Sequence, residues 1–155
     1  MNTRKVAQGA IIAAIYAVVT IAIAPLSYGV MQFRVSEALT VLPMFTPVAI
    51  PGLFIGCIVA NMVSPVGVID MVLGSLATLI AAYFSYKLRD KKWLVPLPPV
   101  IINGIVVGCM LYFVYGIDIS LMGCMAWVGL GEAVICYGVG YPLSRILDKH
   151  KGIFI

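Results

Sequence analysis

Charge is almost absent from four long stretches of this chain. Residues 6–33, 38–69, 71–86 and 93–117 contain no Asp, Glu, Lys or Arg. An uncharged apolar run of about 18 residues or more is read as a membrane-crossing helix, because about 20 residues at 1.5 Å each span the hydrocarbon core. Only 10% of the 155 residues are charged, against roughly 25% in soluble domains. The mean hydropathy is +1.10. The expected fold is therefore all-α, a polytopic membrane helix bundle forming one integral membrane domain over residues 1–155. No polar stretch is long enough for a soluble domain, so any ATP hydrolysis must come from a partner.

The N-terminus looks superficially like a signal peptide, with Arg4 and Lys5 before an apolar run. The run 6–24 is longer than a typical signal core, and Pro25 directly after it disfavours cleavage, so a retained first helix is expected. Further spans are expected at 68–86, 94–115 and 121–147. Between 35 and 64 the chain is apolar but broken by Pro43, Pro47 and Pro51. Charge chooses between one kinked span and two short ones. With two, at 35–46 and 48–63, the bundle has six transmembrane helices. Both termini then share a side with the 87–92 loop, and nine of the ten cations fall there. The positive-inside rule makes that side cytoplasmic. Gly104 and Gly108 form a G-x-x-x-G face for close helix packing, and Ala10, Ala13, Ala14 and Ala17 form a small-residue face on the first helix.

In this topology the acids sort by side. Asp90 and Asp148 join the cytoplasmic cations, while Glu37, Asp70, Asp118 and Glu132 lie outside or within the membrane, opposed only by Arg34. Surplus carboxylate there suits a cationic or donor-rich solute. Arg34 and Glu37 are three residues apart and share a helical face, which leaves two readings open. An ionisable residue at membrane depth marks a functional site. Alternatively, Ser36 caps a helix, Glu37 favours its N-terminal end and Arg34 pairs with Glu37. Glu132 is about 18 Å from the outer end of its helix, and Asn103 lies at similar depth on the preceding one. Asp70 and Asn61 are nearer the outer surface. Trp127 lies above Glu132 and Tyr137 below it. The expected substrate-binding set is Glu37, Asp70, Asn103, Trp127 and Glu132, supported by Arg34, Asn61 and Tyr137. Structural roles stay open for Glu132 and Asn61, and core packing for Trp127 and Tyr137.

Cys57, Cys109, Cys124 and Cys136 are scattered in apolar helical runs and read as small packing residues. The one histidine, His150, is in the polar tail, so neither a metal site nor a cofactor is expected. The chain contains no H-E-x-x-H and no G-x-S-x-G, which argues against an enzyme.

The stretch Phe33-Arg34-Val35-Ser36-Glu37-Ala38-Leu39-Thr40-Val41-Leu42-Pro43 resembles the signature of the QueT family, and the similarity extends over nearly the whole chain. The resemblance implies a multi-pass protein of the bacterial cell membrane, the substrate-binding S component of an energy-coupling-factor (ECF) transporter. Its implied solute is a queuosine precursor of the 7-deazaguanine type. Its implied partners are a transmembrane coupling subunit, docked on Ala10, Ala13, Ala14 and Ala17, and ATPase subunits. No nucleic-acid partner is implied. Another amine-bearing, vitamin-like solute fits the same residue inventory, and a non-transporting structural subunit is the third reading.

Overall fold

The structure is a computed structural model that describes residues 3–29, 32–150, 152 and 154. Val30 and Met31 of the expected first loop, and the cation Lys151, lie outside the described residues. All the described regular structure is helical. The chain runs through α1 (Thr3–Ala22), α2 (Ala24–Ser27), a 3₁₀ helix (Val35–Met44), α3 (Ala49–Asn61) and α4 (Val68–Lys87). It continues through a 3₁₀ turn (Lys92–Leu94), α5 (Leu97–Phe113), α6 (Leu121–Ile135), a π-helical stretch (Cys136–Gly140) and α7 (Tyr141–Asp148).

Four segments are long and apolar enough to cross a membrane: Thr3–Ala22, Val68–Lys87, Lys92–Phe113 and Leu121–Asp148. The segments expected at 35–46 and 48–63 are the 3₁₀ helix and α3, both apolar but shorter. Ten residues at about 2.0 Å rise and thirteen at about 1.5 Å each give roughly 20 Å, against a core of about 30 Å.

Sequence explains the unusual 3₁₀ helix. Such runs rarely exceed three or four residues, and this one has ten. Pro43 removes an amide donor inside it. Val35, Thr40 and Val41 are β-branched and poor helix formers, and the Thr40 hydroxyl donates to the Glu37 carbonyl. Ser36 does not cap the helix as one sequence reading expected. Its hydroxyl instead bonds that of Thr20 at 2.6 Å, and Arg34 occupies the cap position.

Consecutive helices α3, α4, α5 and α6 pack side by side, with α1 against α3, and the 3₁₀ helix packs among α1, α3, α4 and the π stretch. Glycines set the closest approaches. A Cβ on Gly56 would lie 2.7 Å from the Ala13 carbonyl oxygen, and one on Gly108 would lie 2.6 Å from Met125 Cα. Gly104 faces Gly129 in the same α5–α6 contact, as its G-x-x-x-G spacing predicts. The apolar core divides into Ile12, Tyr16, Leu42, Leu53 and Cys57 with their neighbours, and a second group of Val107, Leu111, Cys124 and Val128. Large apolar side chains such as Ile11, Ile15, Val18, Val72, Ile105 and Leu130 are exposed, the pattern of a surface solvated by lipid.

One end of the bundle, here the proximal end, gathers the first turns of α1, the end of α7 with Phe154, and the basic loop. Thr46 reaches Gln8 at 3.5 Å, Phe154 stacks on Phe45 with centroids 5.1 Å apart, and Lys92 pairs with Asp148 at 2.6 Å. The distal end carries residues 27–29 and 32–34, the 62–67 turn and the 114–120 turn. Arg89 and Asp118 flank the two ends of α5. In membrane vesicles, single cysteines at 89 and 118, on a background lacking the half-buried Cys109, should react with an impermeant thiol reagent from opposite sides. Labelling of both from the same side would refute this arrangement.

Candidate functional site

Polar side chains scattered over the elements converge into one buried column. Each helix contributes at a spacing of about one turn: Tyr16 and Thr20, Cys57 and Asn61, Asp70 with Gly74 and Thr78, Glu132 and Cys136. Residues four apart share a helical face, so each helix turns a polar stripe inward.

At the distal end, Arg34 is 4% exposed and places its guanidinium 3.2 Å from Asp70 Oδ2. Its Nε donates to the Ser27 carbonyl at 3.3 Å, and the group lies over the Tyr28 ring, 5.3 Å from the centroid. Burial beside this ring of groups pushes the Tyr28 hydroxyl pKa up to about 12. Asn61 Nδ2 donates to the Asp70 carbonyl at 3.1 Å. Gly74 makes the room: a Cβ there would lie 2.7 Å from Asp70 Oδ1 and 2.9 Å from Asn61 Nδ2.

Glu37 is fully buried in the middle of the column. Its Oε1 accepts from the Tyr16 hydroxyl and, at 3.3 Å, from Thr78 Oγ1. Deeper still, Asn103 Nδ2 donates to Glu132 Oε1 at 3.1 Å, and Cys136 Sγ lies 3.6 Å from Glu132 Oε2. Asn103 also lies close enough to Glu37 to interact with it, and the two glutamates are near enough to feel each other's charge.

Several buried polar atoms have no hydrogen-bond partner among the described residues. They include Glu37 Oε2, the amide oxygens Asn61 Oδ1 and Asn103 Oδ1, both amide atoms of Gln32 and the Ser75 and Tyr115 hydroxyls. An unpaired buried polar group costs roughly 1–3 kcal/mol. The column also holds one buried cation, Arg34, against three buried carboxylates, Asp70, Glu37 and Glu132. Chemically it is an enclosed column with more carboxyl groups than cations. A cavity of about 390 Å³ lies elsewhere, at the proximal end between Phe45, Arg89, Lys92, Asp148 and Phe154. Its shape alone gives it no chemistry, since Lys92 and Asp148 already neutralise each other.

The sequence-derived set divides here. Glu37, Asp70, Asn103, Glu132, Arg34 and Asn61 all enter the column. Trp127 does not: it is 40% exposed on α6, and Tyr137 is only half-buried. Arg34 pairs with Asp70 and not with Glu37, which Tyr16 and Thr78 hold instead. On α1, Ala10 and Ala14 are exposed, whereas Ala17 is buried and Ala13 packs against Gly56. Sequence reading missed Tyr16, Cys57, Thr78 and Cys136 as members of the column. The i, i+4 recurrence of polar residues in apolar helices was the signal for most of them.

The QueT transporter family matches residues 6–149 of the chain. The Queuosine precursor transporter QueT of Lactococcus lactis subsp. cremoris (strain MG1363) is 37% identical over 92 residues, 58% of this chain and 54% of that protein. The chain thus spans about half the length of that relative. No solved structure matches it.

Removing one partner of a buried ion pair strands the other charge and costs about 3–5 kcal/mol. Asp70→Asn should therefore lower the thermal stability of the detergent-purified protein sharply, and adding Arg34→Gln should recover part of the loss. A single Asp70→Asn variant as stable as the wild type would show that Arg34 does not depend on this pair.

Proposed function

The chain belongs to the QueT transporter family, a family of transporters and not of enzymes, and from that premise we propose that it is the substrate-binding S component of an ECF importer. It binds a queuosine precursor of the 7-deazaguanine type from outside the bacterial cell membrane, and partner subunits hydrolyse ATP. The observation that carries this reading is the acceptor-rich, carboxylate-surplus column at Glu37, Asn103 and Glu132. A guanine-type edge presents adjacent N–H donors, which one carboxylate accepts two at a time, as it does from Arg. Glu132, oriented by Asn103, takes that edge. Glu37 offers its unpaired Oε2 to an aminomethyl cation. Asp70 is engaged by Arg34 and supports the site without touching the solute. Trp127 and Tyr137 have no part in this seat.

Hydrogen bonds to charged groups contribute roughly 1.5–3 kcal/mol, so Glu132→Gln should weaken binding about tenfold to a hundredfold. Glu37→Gln should weaken an aminomethyl deazaguanine more than its nitrile analogue, because only the first carries a cation. Calorimetric titration of both ligands in detergent reads both effects. A folded Glu132→Gln variant with wild-type affinity would remove Glu132 from the site. A wild type that binds neither ligand would refute the solute class.

The proximal end, with its cations, faces the cytoplasm in this reading, and the chain crosses six times, twice through short segments. The coupling subunit docks on α1 at Ala10 and Ala14. Only 22% of the α1 span is buried within the chain, the lowest share of the four long spans, and small residues there allow close helix approach. Ala14→Trp should abolish co-purification with a coupling subunit and ATPases while leaving solute affinity intact. Retained assembly would move the docking surface off this face.

A further inference from the structure

We propose that Gln32 is a ligand-binding residue whose carboxamide donates one hydrogen bond to the solute and accepts another from it. The inference rests on the transporter reading above and adds a residue that it does not contain.

Gln32 is 1% exposed, yet neither Nε2 nor Oε1 has a hydrogen-bond partner among the described residues. Its backbone, by contrast, is pinned on both sides. Its N–H donates to the Gly29 carbonyl at 3.0 Å, and its carbonyl accepts from the Arg34 N–H at 2.7 Å. Its φ is 49°, the one positive value at a non-glycine position among the described residues. Glycine or asparagine adopts that conformation more readily. The backbone therefore gives no reason for glutamine here, and packing gives none either. An apolar side chain of equal length would fill the space without burying an unpaired amide. A buried polar group that the described residues do not satisfy, held in an uncommon conformation, points to a partner from outside the chain.

Position and chemistry agree. Two residues on, Arg34 closes the distal end of the column on Asp70. The unpaired amide oxygens of Asn61 and Asn103 only accept hydrogen bonds, whereas Gln32 Nε2, like the unpaired Ser75 and Tyr115 hydroxyls, can donate. A guanine-type base carries a ring carbonyl beside its N–H groups, and that oxygen requires a donor. Gln32 Nε2 supplies it, and Oε1 takes a neighbouring N–H.

The test uses the full chain in detergent, with 7-aminomethyl-7-deazaguanine as the titrated probe. Gln32→Met keeps the length without the amide, and Gln32→Gly also relieves the positive φ. Both should bind at least about tenfold more weakly than wild type. Without ligand, both should melt at or above the wild-type temperature, the trade expected of a residue kept for binding. Unchanged affinity in both variants overturns the assignment. Lower ligand-free melting in both also overturns it, by marking the amide as structural. If the wild type binds but the variants are unaffected, only the Gln32 role fails. If the wild type does not bind at all, the transporter reading fails, and the Gln32 role with it.

Discussion

A guanidinium buried in an apolar bundle must find its counter-charge inside the protein, because lipid offers neither water nor partners. Arg34 meets that requirement through Asp70, the Ser27 carbonyl and the Tyr28 ring. Each of these obliges something further. Asp70 needs Asn61 on its carbonyl and the bare Cα of Gly74 beside its carboxylate. Ser27 donates to the Thr20 carbonyl, which ties the connection back to α1. The distal half of the bundle is thus arranged around one ion pair. The two remaining carboxylates, Glu37 and Glu132, have no cation of their own.

The 3₁₀ helix gives this arrangement its line. With three residues per turn, side chains three apart eclipse one another. Arg34, Glu37, Thr40 and Pro43 therefore stack along one stripe, and all four are buried. An α-helix would spread them around its axis. The narrow segment is matched by a wide one: the π stretch presents Gly140 to Ala38, and Cys136 lies against the Glu37 carbonyl. π segments inside helices recur at functional sites, and this one begins one turn after Glu132.

Depth was legible in the sequence; rotation and long-range pairing were much less so. Counting residues from the outer turn placed Asn103 level with Glu132, and the two are hydrogen-bonded. The expected span 68–86 is α4 within one residue. Counting says nothing about which way a side chain points. Trp127 is five residues from Glu132, about 140° around an α-helix, and it faces away from the column. Local spacing paired Arg34 with Glu37, but the true partner is 36 residues away, on a helix that only the folded chain brings near. Gln32 left no mark at all, since one glutamine in a loop has no period. Its meaning depends on being buried.

The 3₁₀ helix also bears on how the protein comes to sit in its membrane. It is shorter than the hydrocarbon core is thick, and it opens beside Arg34 and carries Glu37. At the centre of a lone inserting helix, Arg or Asp costs roughly 2.5–3.5 kcal/mol. By contrast, α5 and α6 form a glycine-faced hairpin with an apolar core of their own. Its own acidic group, Glu132, is met inside the hairpin by Asn103. The polar groups of segment 34–44 are instead met from other helices: α1, α3 and α4 supply Tyr16, Cys57, Thr78 and Asp70. In the membrane, the solvent of this segment's polar groups is the neighbouring helices and not lipid.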